Sequence, residues 1–196
     1  MKPSYTARKG LSWALFSAGL VLHSAAAQAT TLARLSFDEL ARHATAIARV
    51  RCLDSTAVWR NGEIWTETEF EVLERSKGTL PGIFHIFLPG GRVAHLQSRV
   101  DGVPSFLIGE EAYLFLWNVP GKEMRVLGWT QGTFRISHDS QTRLDRVTQD
   151  SATSPLFDPA TRQFRHGGVR NLPLPVFQLK LRRALEKERR YQETQP

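Results

Sequence analysis

Cysteine is nearly absent from this chain: Cys52 is the only one among 196 residues. No disulfide can form within one molecule, so the fold must be held by an apolar core. Metal and nucleophile signatures are missing as well. His43, His85, His95, His138 and His166 form no H-E-x-x-H, no H-x-H and no close His/Cys cluster. No G-x-S-x-G elbow occurs, and Cys52 has no base near it in sequence. These gaps argue against the common metalloenzyme and nucleophile classes. No catalytic residue, metal ligand or cofactor is therefore assigned. Long apolar runs are missing too: after residue 29 nothing approaches the roughly 20 residues that span a bilayer.

The apolar run that does exist lies at the start. Lys2, Arg8 and Lys9 flank Leu11 to Leu22, and Ala27-Gln28-Ala29 is a small-x-small cleavage site. Residues 1–29 read as an export leader, with Thr30 the expected first residue of the mature chain. No cysteine follows the run to take a lipid anchor, and Arg8-Lys9 is not a twin arginine. The expected destination is the periplasm or the medium.

A nucleic-acid binder would need a basic surface, and the body of the chain has none. Without Lys2, Arg8 and Lys9, 23 basic residues face 19 acidic ones. The whole excess sits in residues 170–196, where Arg170, Lys180, Arg182, Arg183, Lys187, Arg189 and Arg190 face Glu186, Glu188 and Glu193. Residues 30–169 balance at zero net charge.

The body reads as β structure between two helices. Ser36 and Glu39 form a capping box before a helix that ends near Ala44. Residues 46–60 and 63–75 alternate with period two around Asn61-Gly62, a strong hairpin signal. A two-residue turn pairs Trp59 with Ile64. Carried on unbroken, that register would set Cys52 against Glu71 and mix charge into the core face. One extra residue near Asp54–Thr56 repairs it, giving Val50 opposite Val72, Cys52 opposite Phe70 and Arg51 opposite Glu71. Cys52 then lies on the core face, buried and inert. Further strands are expected at 83–88, 111–117, 124–129, 133–137 and 142–148. Residues 92–107 read as a long loop, and 149–173 as a loop or linker. Residues 174–196 read as a basic amphipathic helix whose stripe is Leu174, Phe177, Leu181, Ala184 and Leu185. The expected fold is mostly β: a small antiparallel OB-like barrel over residues 30–148, with the short helix before it and the amphipathic helix behind.

Two acidic features could suggest catalysis. Glu67, Glu69 and Glu71 share one strand face, with Arg49 and Arg51 opposite, which is the pattern of a solvated surface. Glu110 and Glu111 are adjacent, and neighbours on a strand point to opposite faces. They cannot both aim at one substrate atom, as paired-carboxylate chemistry requires. His85 and His95 flank Pro89-Gly90-Gly91 and could meet across it, but two ligands make no metal site.

Taken together, residues 36–53, TETEFEVLERSKG (66–78), LPGG (88–91), GVPSFLIGEEAYLFL (102–116) and VLGWTQGTFRI (126–136) resemble a family of uncharacterised exported bacterial proteins. The resemblance implies an OB-like barrel similar to the netrin and metalloprotease-inhibitor domains. Those inhibitors reach a protease metal through an N-terminal cysteine. No cysteine lies within twenty residues of Thr30, so that mechanism does not carry over.

The expected function is that of an exported, non-enzymatic binding or accessory module whose partner is another exported or envelope protein. Its expected contact residues are Arg92, Leu96, Arg99, Phe106 and Leu107, on a loop carried by a rigid β scaffold. One alternative is an envelope-surface module that meets anionic lipid or polymer through the C-terminal helix. A second is a hydrolase of unrecognised type, with acids such as Asp101, Glu110 and Glu111 gathered by the fold.

Overall fold

A computed structural model describes residues 33–118, 123–140 and 142–193. The expected leader, its cleavage site and Thr30 lie outside the described residues. Helix α1 (Phe37–His43) begins at the expected capping box: the Ser36 hydroxyl accepts from the Glu39 N–H at 3.2 Å, and the Glu39 carboxylate accepts from the Ser36 N–H at 2.7 Å. Two long strands follow, β1 (Ala46–Arg60) and β2 (Glu63–Lys77), then β3 (Ile83–Pro89). A small hairpin, β4 (Gly91–Val93) and β5 (Leu96–Ser98), leads through an irregular segment to β6 (Glu111–Trp117). After β6 come β7 (Arg125–Val126), β8 (Thr133–Asp139), β9 (Leu144–Gln149), β10 (Leu156–Asp158), β11 (Gln163–Arg165) and β12 (Leu172–Pro173). Helix α2 (Leu174–Glu193) follows directly.

The protein is mostly β. Eight strands form one antiparallel sheet in the order β12-β9-β8-β6-β1-β2-β3, with β7 added to the end of β6. Among the described residues this ladder is open, ending at β3 and β12, and does not close into the expected barrel. The β1–β2 register is as expected: Trp59 pairs with Ile64, Cys52 with Phe70, Arg51 with Glu71 and Val50 with Val72. The extra residue is Leu53, one position before the expected stretch, between the Cys52 and Asp54 pairs. Two further irregularities leave Leu73 and Ser76 of β2 without a partner in β1. Each bulge adds local twist and bends its strand. The bending brings β3 into contact with β7 across the inside of the curl.

Both faces of the central strands are therefore buried. The inner face carries Ala46, Ala48, Val50 and Cys52 from β1, Phe70 from β2, Phe84, Ile86 and Leu88 from β3, and Ala112, Leu114 and Leu116 from β6. The outer face carries Ile47, Tyr113, Phe115, Phe134 and Val147, covered by Leu40 and Ala41 of α1 and by Leu174, Phe177, Leu181 and Ala184 of α2. Phe177 is fully buried, with its ring 5.0 Å from Tyr113 and 5.3 Å from Phe134. The α2 stripe is the expected one, extended by Glu188, whose buried carboxylate accepts from Lys77 Nζ at 2.7 Å.

Two expectations need correction beside the barrel. Residues 149–173 are no linker: they hold a 3-10 turn (Asp150–Thr153), the β10–β11 hairpin and β12, which pairs with β9. Their polarity misled because side chains, rather than an apolar period, hold them. Gln149 donates to the Gln131 carbonyl at 2.6 Å and accepts from the Val169 N–H at 3.2 Å. The expected strand 124–129 is mostly a turn, with only Arg125–Val126 paired and a 3-10 turn at Trp129–Gly132.

Candidate binding site

The segment from Gly90 to Glu110 crosses the inner side of the curl and covers its core. It begins where Gly90 and Gly91 take φ of +98° and +138°. At Gly91 a Cβ would fall 2.6 Å from Thr66 Oγ1 and 2.9 Å from the Ala57 Cβ, so only glycine lets the backbone pass this close. The Thr66 hydroxyl donates to the Gly90 carbonyl at 2.7 Å, which fixes the exit from β3. The Pro-Gly-Gly stretch is thus a crossing point. Beneath the segment lies a cleft of about 380 Å³, walled by Thr66 and Leu88–Gly91 on one side and Gln97–Ser105 on the other. Arg99 and Asp101 stand exposed on its rim.

The five expected contact residues separate. Arg92 and Leu96 are exposed on the β4–β5 hairpin, Leu96 at 45 %, and Arg99 is exposed at the cleft. Leu107 is exposed at 72 %. Phe106 is buried, so it is an anchor of the core and not a contact residue. Its ring meets Phe70 edge-on at 5.0 Å and lies under the Arg135 guanidinium at 5.0 Å.

Past Phe106 the chain makes a tight turn. The Glu110 N–H donates to the Leu107 carbonyl at 3.0 Å, and Gly109 takes φ of +85°, the conformation a type II turn requires at its third position. The Gly109 N–H donates to the Cys52 carbonyl at 2.8 Å, and the Cys52 N–H donates to the Glu110 carbonyl at 2.9 Å, fastening the turn beside the Leu53 bulge. The Glu110 carboxylate accepts from the Leu107 N–H at 2.9 Å and from Arg135 Nη1 at 2.5 Å. Arg135 also donates to the Ser105 carbonyl at 2.5 Å and makes two bonds to Asp150, at 2.7 and 2.9 Å. Burial pushes the Asp150 carboxyl upward despite the pull of Arg135. Burial also lowers the tendency of Arg135 to hold its proton, but Asp150 and Glu110 outweigh it.

Glu111 faces the other way. Burial works against its charge, yet hydrogen bonds from Arg51 and Arg49 hold its carboxyl below the ordinary glutamate range. Arg49 reaches it at 2.7 Å and Arg51 at 2.8 Å, and Arg51 also pairs with Glu71 at 3.5 Å. The two adjacent glutamates thus serve opposite faces, and neither shares an atom with the other's partners. Cys52 is 1 % exposed, its thiol donates to the Asp54 carbonyl at 3.4 Å, and burial, then Glu110 and Asp54, push its pKa up. That is the reverse of a reactive thiol. His85 lies 3.5 Å from Glu67 on the outer face, while His95 stands exposed in the β4–β5 turn.

Arg135, Asp150 and Ile108 were absent from the expected site. Arg135 carried a readable signal: with Thr133 it falls on the inward positions of β8, where a charge needs a partner. Asp150 carried none, because its segment reads as loose polar chain. Compared with protein-family models, curated proteins and solved structures, the chain finds no match.

Proposed function

We propose that the chain is an exported binding or accessory module, built on an OB-like curled sheet, that meets another exported or envelope protein through the Gly90–Glu110 segment. The observation that carries this reading is the segment's construction. It is anchored inward by Phe106 and turned outward with Arg92, Leu96, Arg99, Val100, Leu107 and Ile108 exposed. A loop that merely closed a core would bury such apolar side chains. Export rests on the leader pattern of residues 1–29, and the OB-like reading rests on the bulged β1–β2 pair and the β3–β7 contact. The family resemblance belongs with the same reading. The test is affinity capture from the exported fraction with residues 30–196 as bait, beside a variant carrying alanine at Arg92, Leu96, Arg99 and Leu107. A specific partner lost by the variant is expected. The same proteins recovered by both baits would overturn the assignment.

A second reading has its own observation. On the outward side of α2, Val176 and Leu179 are 47 % and 39 % exposed, beside the exposed Arg182 and Arg183. Such a face suits an anionic lipid or polymer surface. Co-sedimentation with phosphatidylglycerol vesicles should drop when Val176, Leu179, Arg182 and Arg183 are replaced together by serine. Unchanged co-sedimentation would remove this reading.

A further inference from the structure

Among the described residues, the Ser151 hydroxyl is the one buried side-chain polar atom without a hydrogen-bond partner. Ser151 is fully buried in the 3-10 turn Asp150–Thr153, yet it lines a cavity of about 250 Å³. That space is several times a single water's share of about 30 Å³. A buried hydroxyl left unpaired is destabilising, so a polar occupant at this wall is favoured. The cavity is lined from three directions: residues 34–37, residues 167–169 and Lys180 of α2.

The rest of the wall narrows the chemistry of that occupant. Arg34 and Lys180 are its only charged residues, and no carboxylate lines it. Arg34 is placed by its backbone. Its N–H donates to the Phe157 carbonyl at 2.8 Å, and the Gln131 amide bonds Ala33 and Leu35 on either side at 2.9 and 2.8 Å. The guanidinium lies against Gly167, where a Cβ would come 3.1 Å from Nη2. Its ion pair with Asp158 is long, at 3.9 Å, and that carboxylate already accepts from the Ala160 and Thr161 N–H groups at 3.0 and 3.3 Å. Lys180 rests its ammonium over the Phe37 ring at 4.9 Å and has no acidic partner among the described residues. The other polar side chains of the wall are engaged: Gln149 with the Gln131 carbonyl and the Val169 N–H, and Ser36 in its capping box. What is left for a ligand is a guanidinium fork, an ammonium and a hydroxyl, a donor set that suits a carboxylate. Leu35, Phe37, Leu156 and Val169 line the remainder. An inorganic ion would leave these apolar walls bare, whereas a short hydrocarbon tail covers them.

We propose that this cavity binds a small organic carboxylate with a short apolar tail, its carboxylate met by Arg34 and Lys180 and accepting a hydrogen bond from the Ser151 hydroxyl. None of the lining residues belongs to the Gly90–Glu110 segment, so the site stands or falls independently of the partner surface. NMR titrations of the purified chain, as cells process it, test the proposal with butyrate, its neutral isostere butyramide and inorganic phosphate. Butyrate should saturably shift the Ser151, Gly167 and Gly168 amides and the Leu35 and Leu156 methyls. Butyramide should bind about tenfold more weakly, having lost the charge that the two cations meet. Phosphate should leave the leucine methyls unmoved. Lys180→Gln replaces an exposed side chain, so it should keep the fold and weaken butyrate several-fold. Arg34→Gln should weaken butyrate about tenfold, and Arg34→Lys should recover only part of the loss. Ser151→Ala should weaken butyrate without lowering the thermal midpoint, because it removes a hydroxyl that nothing in the fold satisfies. A serine with a purely structural role would show the reverse. Should Arg34→Gln fail to fold, the Lys180 and Ser151 variants decide alone. Absence of saturable shifts, equal affinity for butyrate and butyramide, phosphate binding as tightly as butyrate, or butyrate binding unaltered in the folded Lys180→Gln and Ser151→Ala variants would overturn the proposal.

Discussion

The sheet is covered on its two faces by two different means. On the outer face, α1 and α2 lay down a continuous apolar stripe in which Leu40, Phe177, Leu181 and Ala184 each bury against several strands. On the inner face, an irregular segment does the covering, with Phe106 as its one deeply buried large aromatic and a charged cluster at Arg135 as its fastener. The helical cover turns its charges to water together with Val176 and Leu179, at 47 % and 39 % exposure, whereas the segment turns out Leu107 and Ile108 at 72 % and 71 %. The two covers thus differ in what holds them: apolar packing on the outer face, and on the inner face a local polar restraint that leaves a neighbouring apolar pair in water, the surface proposed above for a partner.

Breaking each cover in turn should expose this difference. The largest effect is expected from Phe177→Ala, which empties the aromatic cluster under α2 and should cost about 3–5 kcal/mol in urea unfolding. Hydrogen exchange should then accelerate over both helices. Phe106→Ala should cost somewhat less, roughly 3 kcal/mol, because the segment can settle into the space left. Its faster exchange should be confined to residues 99–110, and a spread into α2 would contradict the separation of the two covers.

Arg135→Ala leaves the Asp150 carboxylate without its partner and should cost roughly 1–3 kcal/mol. A double-mutant cycle with Glu110→Gln should show coupling of at least about 0.5 kcal/mol. Glu111 offers the outer-face counterpart. Its folded pKa is lowered by Arg51 and Arg49 against the cost of burial, so its stabilisation is fully present above the ordinary glutamate value. That stabilisation is lost as pH falls through the lowered folded value. Glu111→Gln should therefore cost about 1 kcal/mol near neutrality, with the difference from wild type shrinking on acidification. A difference that grows would contradict the assigned direction. Leu107→Ser and Ile108→Ser should stay within about 0.5 kcal/mol of wild type, since both side chains face solvent. A large loss there would mean that the pair serves the fold.

Much of the fold was legible because period-two patterns carry register. The Asn61-Gly62 turn and the clash of Cys52 with Glu71 in a continuous ladder required a bulge, and it occurs at Leu53. The Ser36 capping box and the α2 stripe were equally plain. The open ladder was not, because strand count does not reveal whether the last strand returns to the first. Residues 149–173 were missed because Gln149 and the Asp150 turn hold that region through polar contacts that leave no hydrophobic period. At the candidate site, Arg92, Leu96, Arg99 and Leu107 were named from loop position and mixed character, and all four are exposed. Phe106 was placed on the wrong side of the loop: in an irregular segment, sequence spacing does not tell inward from outward. The opposed roles of Glu110 and Glu111 followed from strand geometry, but the Arg135 partner of Glu110 depended on a pairing between β6 and β8 that only the fold supplies.

The central claim is that Arg135 fixes the shape of the turn that displays Leu107 and Ile108. Hydrogen exchange at the Leu107, Gly109 and Glu110 amides, compared between wild type and Arg135→Ala, tests it most directly. Protection in the wild type, lost at these amides while the Phe177 amide stays protected, is the predicted result. Free exchange in the wild type, or protection unchanged by the substitution, would contradict it.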